Sequence, residues 1–402
     1  DDTSEHLDEL LGHLEPVVER LNSTCTTHTA AAVTSLLGAI GHRNIQKANP
    51  EVAPLRSNVQ DGDIFSKADL LQHSDDGFDY EDFINDPSDD PTYNVGAGST
   101  EEYLQVQVHG SPEFQTRIRE VLHRYRKVFS STLPAEPARV TPLRLDINES
   151  EWHKSINRMP HRRQSTSKDA EINAQTRVML DSRVISVSSR AQAWSQVLLT
   201  LKPNGKWRFC IDFRQLNQVI KDRGWPLPRI DEVLERVGQQ HSNFFGKMDL
   251  TSGYHQMPLH ADSRQYTAFK TAYGLYEWLR VPMGLRNAAA HFQQCMAVEV
   301  LNGLVNVDCE LYLDDVLVHA RTEDEFLERL RKILDRFETR RLVLSPSKCS
   351  FGMSEVEILG HTINSEGSHF SREKLDAVLE FKLPANGTQM QSFLGLCNYY
   401  RR

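Results

Sequence analysis

The stretch LYLDDVLV, residues 311 to 318, sets two carboxylates, Asp314 and Asp315, between short apolar runs. Leu311, Tyr312 and Leu313 lead in, Val316, Leu317 and Val318 lead out, and such runs read as strands. Adjacent like charges repel, and taking carboxylates out of water is costly unless something positive lies beside them. The pair is therefore either a solvated turn or a metal holder. A third carboxylate, Asp249, closes the apolar run FFGKM 65 residues earlier, and Gly253 and Tyr254 follow it. If that run lies beside the 311–318 hairpin, Asp249 and Asp314 face each other at the sheet surface and three carboxylates converge. Such a set has raised pKa values or needs a divalent ion. Oxygen ligands without His or Cys suit magnesium, which keeps waters and takes substrate phosphates as further ligands. Two such ions about 4 Å apart would serve an in-line phosphoryl displacement.

The elements that must position these groups are legible around them. Residues 195–213, SQVLLTLKPNGKWRFCIDF, read as a hairpin turning at Pro203, Asn204 and Gly205. PLPRIDEVLERV, residues 226–237, reads as a proline-led helix start. Residues 245–259 read as a strand, a Gly-containing break and a second strand or turn, and 286–301 as a helix. Thr322 to Glu325 forms a capping box, with Phe326, Leu330, Ile333, Leu334 and Phe337 at helical spacing behind it. Upstream, Ile118, Val121, Leu122, Tyr125, Val128 and Phe129 fit one helix face, and the Pro-rich residues 130–142 read as extended. Residues 167–183 read as a helix capped by Ser167 or Asp169. This order predicts an α+β domain whose sheet is covered by helices on one side.

The 402 residues allow two or three domains and a sizeable core. Net charge is −9, but it is unevenly spread: residues 1–100 carry 19 acidic and 5 basic side chains, the remainder 36 and 41. The acid is concentrated at the front and the rest is mildly basic, a hint of nucleic-acid work. Residues 61–90, with eleven acidic residues and one Lys, read as a disordered tether. Helical spacing recurs at 1–22, and 30–41 is an Ala-rich second helix candidate. The six cysteines are scattered without a C-x-x-C pair, which points to reduced thiols inside a cell. No run of about 18 apolar residues occurs, so no membrane-spanning helix and no membrane partner are expected. The chain starts with Asp and stops at Arg402 without a terminal signal, as expected of a fragment of a longer polyprotein.

FCIDFRQLNQVI, MDLTSGYHQMPLHADSRQYTAFKT, YGLYEWLRVPMGLRNAAAHFQ, YLDDVLVHA and EVEILGHTINSEG occur in this order. Together they resemble the reverse transcriptase of gypsy-type long-terminal-repeat retrotransposons, relatives of retroviral polymerases. FLGLCNYYRR matches the stretch that follows the polymerase core, so the resemblance covers roughly residues 115 to 402. It implies a right-hand polymerase fold: 1–110 an acidic, partly disordered lead, 111–179 a helix and extended lead-in, 180–365 fingers and a palm with an antiparallel sheet, 366–402 a truncated thumb. The implied function is RNA-directed DNA polymerase within a retrotransposon polyprotein, extending a primer on RNA or DNA. The alternative is a catalytically inactive or host-adopted fragment that only binds nucleic acid or partners.

By the same resemblance, Asp249 and Asp314 hold two Mg2+ ions, with Mn2+ as a substitute, and Asp315 is a weaker ligand beside them. Tyr254 blocks a ribose 2′-hydroxyl, or else packs in the core. Arg208 grips the deoxynucleoside triphosphate, and Lys202 or Lys206 either assists or is solvated. Met283 and Gly284 line the template-side floor of the nucleotide pocket. Tyr312, Leu359, Gly360 and His361 contact the primer, His361 being alternatively a satisfied surface histidine. The implied partners are an RNA template, a DNA primer and product, and deoxynucleoside triphosphates. Ribonuclease H and integrase domains are expected downstream, a dimer with an unidentified partner is left open, and the family works in a cytoplasmic virus-like particle. Three departures stand out: Ala289 replaces the usual Pro, Met283 stands where relatives carry Phe or Gln, and the fingers signature is degraded to SVSSRAQAW.

Overall fold

The computed structural model describes residues 101–201, 205, 207–370, 387 and 389–392. The expected helices at 1–22 and 30–41, the acidic tether, Lys202, Lys206 and nearly all of the expected thumb lie outside the described residues.

Strand β1 (Gln107–Val108) leads into helix α1 (Pro112–Arg124). Ser111 caps α1 through a bond from Phe114 N to its Oγ at 3.2 Å, and Pro112 opens the first turn. Its buried face is Phe114, Ile118, Val121 and Leu122, as the spacing predicts. Helix α2 (Thr166–Asp181) is capped by Ser165, not by Ser167 or Asp169, which already lie inside the first turn. Strand β2 (Ile185–Val187) precedes the expected hairpin of β3 (Ser195–Leu201) and β4 (Trp207–Asp212), paired from Gln196↔Asp212 to Leu201↔Trp207. Helix α3 (Arg214–Val219) follows. Helix α4 (Ile230–Gln239) begins past Pro228 rather than at Pro226, because a residue preceding proline is pushed out of the helical region.

Strand β5 (Phe244–Met248) ends at Asp249, and the second strand or turn expected after it is the single-turn helix α5 (Gly253–Gln256). Strands β6 (Phe269–Thr271) and β7 (Gly274–Trp278) form a hairpin. Helix α6 (Ala288–Gln294) widens into a π-helical segment, Cys295–Val300. The LYLDDVLV hairpin is β8 (Cys309–Tyr312) and β9 (Asp315–Ala320). In helix α7 (Glu323–Arg340), Thr322 Oγ1 accepts from Glu325 N at 3.3 Å. The Glu325 carboxylate bonds to Arg321 N at 3.0 Å, one residue earlier than the reciprocal bond of a capping box. Strands β10 (Ser350–Met353), β11 (Val356–Ile358), β12 (His361–Asn364) and β13 (Gly367–Phe370) complete the order.

The mixed α+β architecture matches the expectation. One sheet runs β1-β10-β5-β9-β8, a second β2-β7-β6-β3-β4, and a third β11-β12-β13. In the first sheet, the expected palm, β10-β5-β9-β8 is antiparallel and β1 joins β10 in parallel. Its cover is thicker than expected, because both faces are dressed. On one face Phe114 of α1 meets Phe244 and Phe326 edge-on at 5.1 and 5.8 Å. On the other, Leu234 and Val237 of α4 join Phe245, Leu317, Val356, Ile358 and Ile363 in a separate apolar cluster.

Two buried charges tie the pieces together. Glu310 of β8 is 1% exposed and is gripped by Arg236 of α4 at 2.8 Å. Arg280 is 1% exposed and donates to the carbonyls of Pro134, Ala135, Arg183 and His255. Its cation is thereby solvated by backbone drawn from three distant parts of the chain. Cys295, Cys309 and Cys349 are buried free thiols. Among the described residues no helix is long and apolar enough to cross a membrane.

Gly246 lies at the centre of the first sheet, and a Cβ there would stand 2.7 Å from Phe351 Cδ1, 2.8 Å from Val318 Cγ1 and 3.0 Å from Phe326 Cζ. Strand entropy alone would make Ala better than Gly by roughly 0.5–1 kcal/mol; overpacking of about 1–3 kcal/mol outweighs it. Gly246→Ala is therefore expected to lower the urea midpoint at unchanged slope, and a midpoint at or above the parent's would contradict this packing.

Candidate active site

The position of Asp249 follows from strand pairing. Strand β5 pairs antiparallel with β9 from Phe244↔Ala320 to Met248↔Val316. Asp249 comes next after Met248, so continuing that register sets it across from Asp315. Tyr312 pairs with Asp315, which leaves Leu313 and Asp314 as a two-residue tip. Asp314, at the tip, lies just outside the ladder. Asp249 and Asp314 lie at the same end of neighbouring strands, which run about 4.8 Å apart.

The carboxylates have different neighbours. Among the described residues no group of three His, Cys, Asp or Glu side chains could hold a metal ion. Asp315 is drawn to Lys247 Nζ at 3.4 Å, a lysine two residues before Asp249 on the same strand. Lys348 Nζ stands 3.9 Å from Asp249 Oδ2, while Asp249 Oδ1 is closed off from solvent. Asp249 is further anchored through its backbone, its carbonyl accepting from Ser345 N at 2.8 Å. Burial, first, and the neighbouring Asp315 charge push the Asp314 carboxyl from 3.8 up to about 6. Lys247 pulls the other way. A carboxylate kept partly from water beside a second one is a site that gains from a cation. The donors are hard oxygens, so the chemistry fits a magnesium-type ion held by Asp249 and Asp314, with waters and phosphate oxygens filling its shell.

Residues that the sequence reading missed shape this end of the sheet. Gln293 of α6 accepts from Leu313 N through its Oε1 at 2.6 Å. Asn217 of α3 spans the loop that carries Met283 and Gly284: its Nδ2 donates to Gly284 O and its Oδ1 accepts from Arg286 N, both at 2.8 Å. Gly284 has φ +80, which explains a glycine there. A polar residue on an amphipathic helix, with no cap to serve, was the available signal in both cases.

The other expected site residues are placed as follows. Tyr254 rides on α5, partly buried against Phe292 with ring centroids 5.2 Å apart, so aromatic packing is present whether or not its edge also meets a sugar. Arg208 is half-buried on β4, the outermost strand of the second sheet, opposite Thr200. Tyr312 is the last residue of β8. Leu359 and Gly360, with φ of +53 and +76, form the two-residue turn between β11 and β12, so this turn alone requires the glycine. His361 opens β12, half-buried, its pKa lowered by that burial.

Residues 200–363 match the family described as reverse transcriptase (RNA-dependent DNA polymerase). The chain is 33% identical over 326 residues to the retrovirus-related Pol polyprotein from transposon 412 of Drosophila melanogaster, covering 77% of this chain and 25% of that one. It is 32% identical over 206 residues to the transposon Tf2-3 polyprotein of Schizosaccharomyces pombe, covering 51% of this chain and 15% of that one. The chain thus spans about a quarter or less of the length of these relatives. Among solved structures it is similar to the foamy viral protease-reverse transcriptase in complex with dsDNA, with a TM-score of 0.65, 21% identity and coverage of 77% of this chain and 63% of that chain. The same viral protein in complex with RNA/DNA hybrid gives a TM-score of 0.64, 20% identity and coverage of 77% and 41%. At these identities the likeness carries the fold.

The raised carboxyl of Asp314 has a measurable consequence. The folded protein binds its proton more tightly than the unfolded chain, so the ion-free protein loses stability as pH rises from about 4 to about 6. The loss amounts to up to about 3 kcal/mol at neutral pH. Asp314→Asn is expected to remove that slope and to unfold at higher urea than the parent at pH 7 in chelator. Parallel stability profiles for the two proteins would show that Asp314 is not desolvated.

Proposed function

With residues 200–363 forming a reverse transcriptase domain of the kind found in retrotransposon Pol polyproteins, we propose that this chain extends a primer by RNA-directed DNA synthesis, as the polymerase part of such a polyprotein. The observation that carries the reading is the pair of carboxylates, Asp249 and Asp314, at one end of two hydrogen-bonded strands, with Asp314 held partly out of water. These two residues would hold magnesium, or manganese in its place, which when bound activates the primer hydroxyl and neutralises phosphate charge. Asp315, paired with Lys247, adds negative potential next to Asp314 and so favours a cation there. Tyr254, braced by Phe292, supplies a rigid wall against a ribose 2′-hydroxyl. Asn217 keeps the Met283–Gly284 loop in place as the pocket floor. Arg208 supplies a planar donor set for phosphate oxygens, a better match than a lysine. The primer is assigned to Tyr312 and the Leu359–His361 turn, and the thumb to residues from 366 onward.

A path for the template strand is supported by charge and rings on the second sheet, the fingers. Residues 158–164 lie along β3, pinned by Arg162 N to Gln196 Oε1 at 2.9 Å and by Trp194 Nε1 to Met159 O at 2.7 Å. This strap exposes Arg158, Arg162 and Arg163. Beside it Lys270 sits over the Trp194 ring at 4.7 Å and Lys168 over Trp207 at 4.9 Å. Interleaved cations and aromatic faces suit a single strand gripped through phosphate and stacking, without regard to sequence. The foamy viral relative is seen with RNA/DNA hybrid and with dsDNA, which supports both kinds of template here. Ribonuclease H and integrase parts belong to the proposed whole polyprotein.

Primer extension on a heteropolymeric RNA template with magnesium tests the activity. Asp249→Asn and Asp314→Asn are each expected to slow extension by about 10³-fold or more, equivalent to about 4 kcal/mol of barrier. A silent parent that still binds duplex would favour the non-catalytic reading. For the template path, Arg162→Ala combined with Arg163→Ala is expected to reduce the salt slope of single-stranded RNA binding by about 1.4, at unchanged melting temperature. An unaltered slope would place the strand elsewhere.

A further inference from the structure

Helix α6 touches both carboxylate-bearing turns with consecutive side chains. Phe292 lies against the turn after Asp249: its ring is tilted 43° to that of Tyr254, and a Cβ on Gly253 would come within 3.3 Å of its Cζ. Gln293, 2% exposed, reaches the other turn and accepts the Leu313 amide at 2.6 Å. Leu313 has φ +54, a region that is unfavourable for a residue with a side chain. Glycine or asparagine is usual at such a hairpin tip. The leucine is kept there from two sides: its side chain is 2% exposed, and its amide is bonded to Gln293. Stripping that amide of its acceptor would leave a buried donor unsatisfied and the strained tip free to relax. Both contacts come from the end of the regular helix, just before it widens at Cys295 into the π-helical segment, a feature common beside functional sites.

We propose that Gln293 is a positioning residue: by holding the Leu313 amide it sets the direction in which Asp314 presents its carboxylate, and together with Phe292 it makes α6 the spacer between the two carboxylate-bearing turns. The kinetic consequence rests on the polymerase reading above; the geometric one does not. Two substitutions separate the role from bulk. Gln293→Met keeps the shape and loses the acceptor, and Gln293→Glu keeps the acceptor.

Three readouts apply: hydrogen exchange at the Leu313 amide, Mn2+ affinity by electron paramagnetic resonance without nucleic acid, and the magnesium concentration for half-maximal primer extension. Gln293→Met is expected to speed exchange by about tenfold, weaken Mn2+ binding by about tenfold and raise the magnesium midpoint similarly. The KM for deoxynucleotide should stay within about twofold of the parent value, because the substrate contacts are untouched. Gln293→Glu, which keeps the acceptor and adds a charge, should hold Leu313 exchange within about threefold of the parent and should not weaken Mn2+ binding. If Gln293→Met does not fold, adding Leu313→Gly relieves the tip strain, and the loss of Mn2+ affinity is then read against Leu313→Gly alone. Parental exchange and Mn2+ affinity in Gln293→Met, or equal failure of Glu and Met, would overturn the proposal. A parent that extends no primer would sink the polymerase reading while the exchange and Mn2+ results still decide the role of Gln293.

Discussion

The pairing of β5 with β9 is the constraint on which the site depends. Five cross-strand partners fix its register, and a slip of one residue would turn Lys247 and Leu317 to the wrong faces. Leu317 and Phe245 then could not share the apolar cluster under α4, nor could Gly246 admit Phe351, Val318 and Phe326. Carboxylates that are costly to bring together are thus brought together by hydrophobic burial elsewhere in the same strands. The electrostatic cost is local, and it is offset by the apolar faces on either side of the sheet.

Two further charges show the same division of labour. Glu310 is buried on the edge strand next to the site, yet Arg236 meets it from α4, so it strengthens the fold and is withheld from ligand chemistry. Asp315 belongs to the acidic doublet, yet Lys247 claims it. The motif therefore contains one carboxyl pushed up by burial and one paired with a lysine. Residue type alone treats the two aspartates alike; Lys247 on β5 makes their surroundings different.

Much of the fold could be read in advance because the decisive signals are local. The α1 and α7 faces follow from helical spacing, the β3–β4 hairpin from Pro-Asn-Gly between two β-rich runs, and the LYLDDVLV hairpin from its flanking apolar residues. Boundaries failed where a short-range rule was outvoted: Ser165 caps before Ser167, and Pro228 delays α4. At the site, residue types were legible but distances were not. The neighbours of each acid depend on long-range register, which brings Lys247 of β5 to Asp315. Gln293 and Asn217 carry no motif that spacing could expose, since each acts through the backbone of a segment about 20 or more residues away. The helix after Asn287 starts at Ala288, with Asn287 itself in the left-handed region at φ +71.

Arg280 gives the fold a wider inheritance than the family match does. Its guanidinium lies within residues 200–363, but two of the carbonyls that solvate it, on Pro134 and Ala135, lie well upstream. A chimera joined between residues 135 and 183 whose upstream segment followed another path would leave this buried cation with two of its four carbonyls, those of Arg183 and His255.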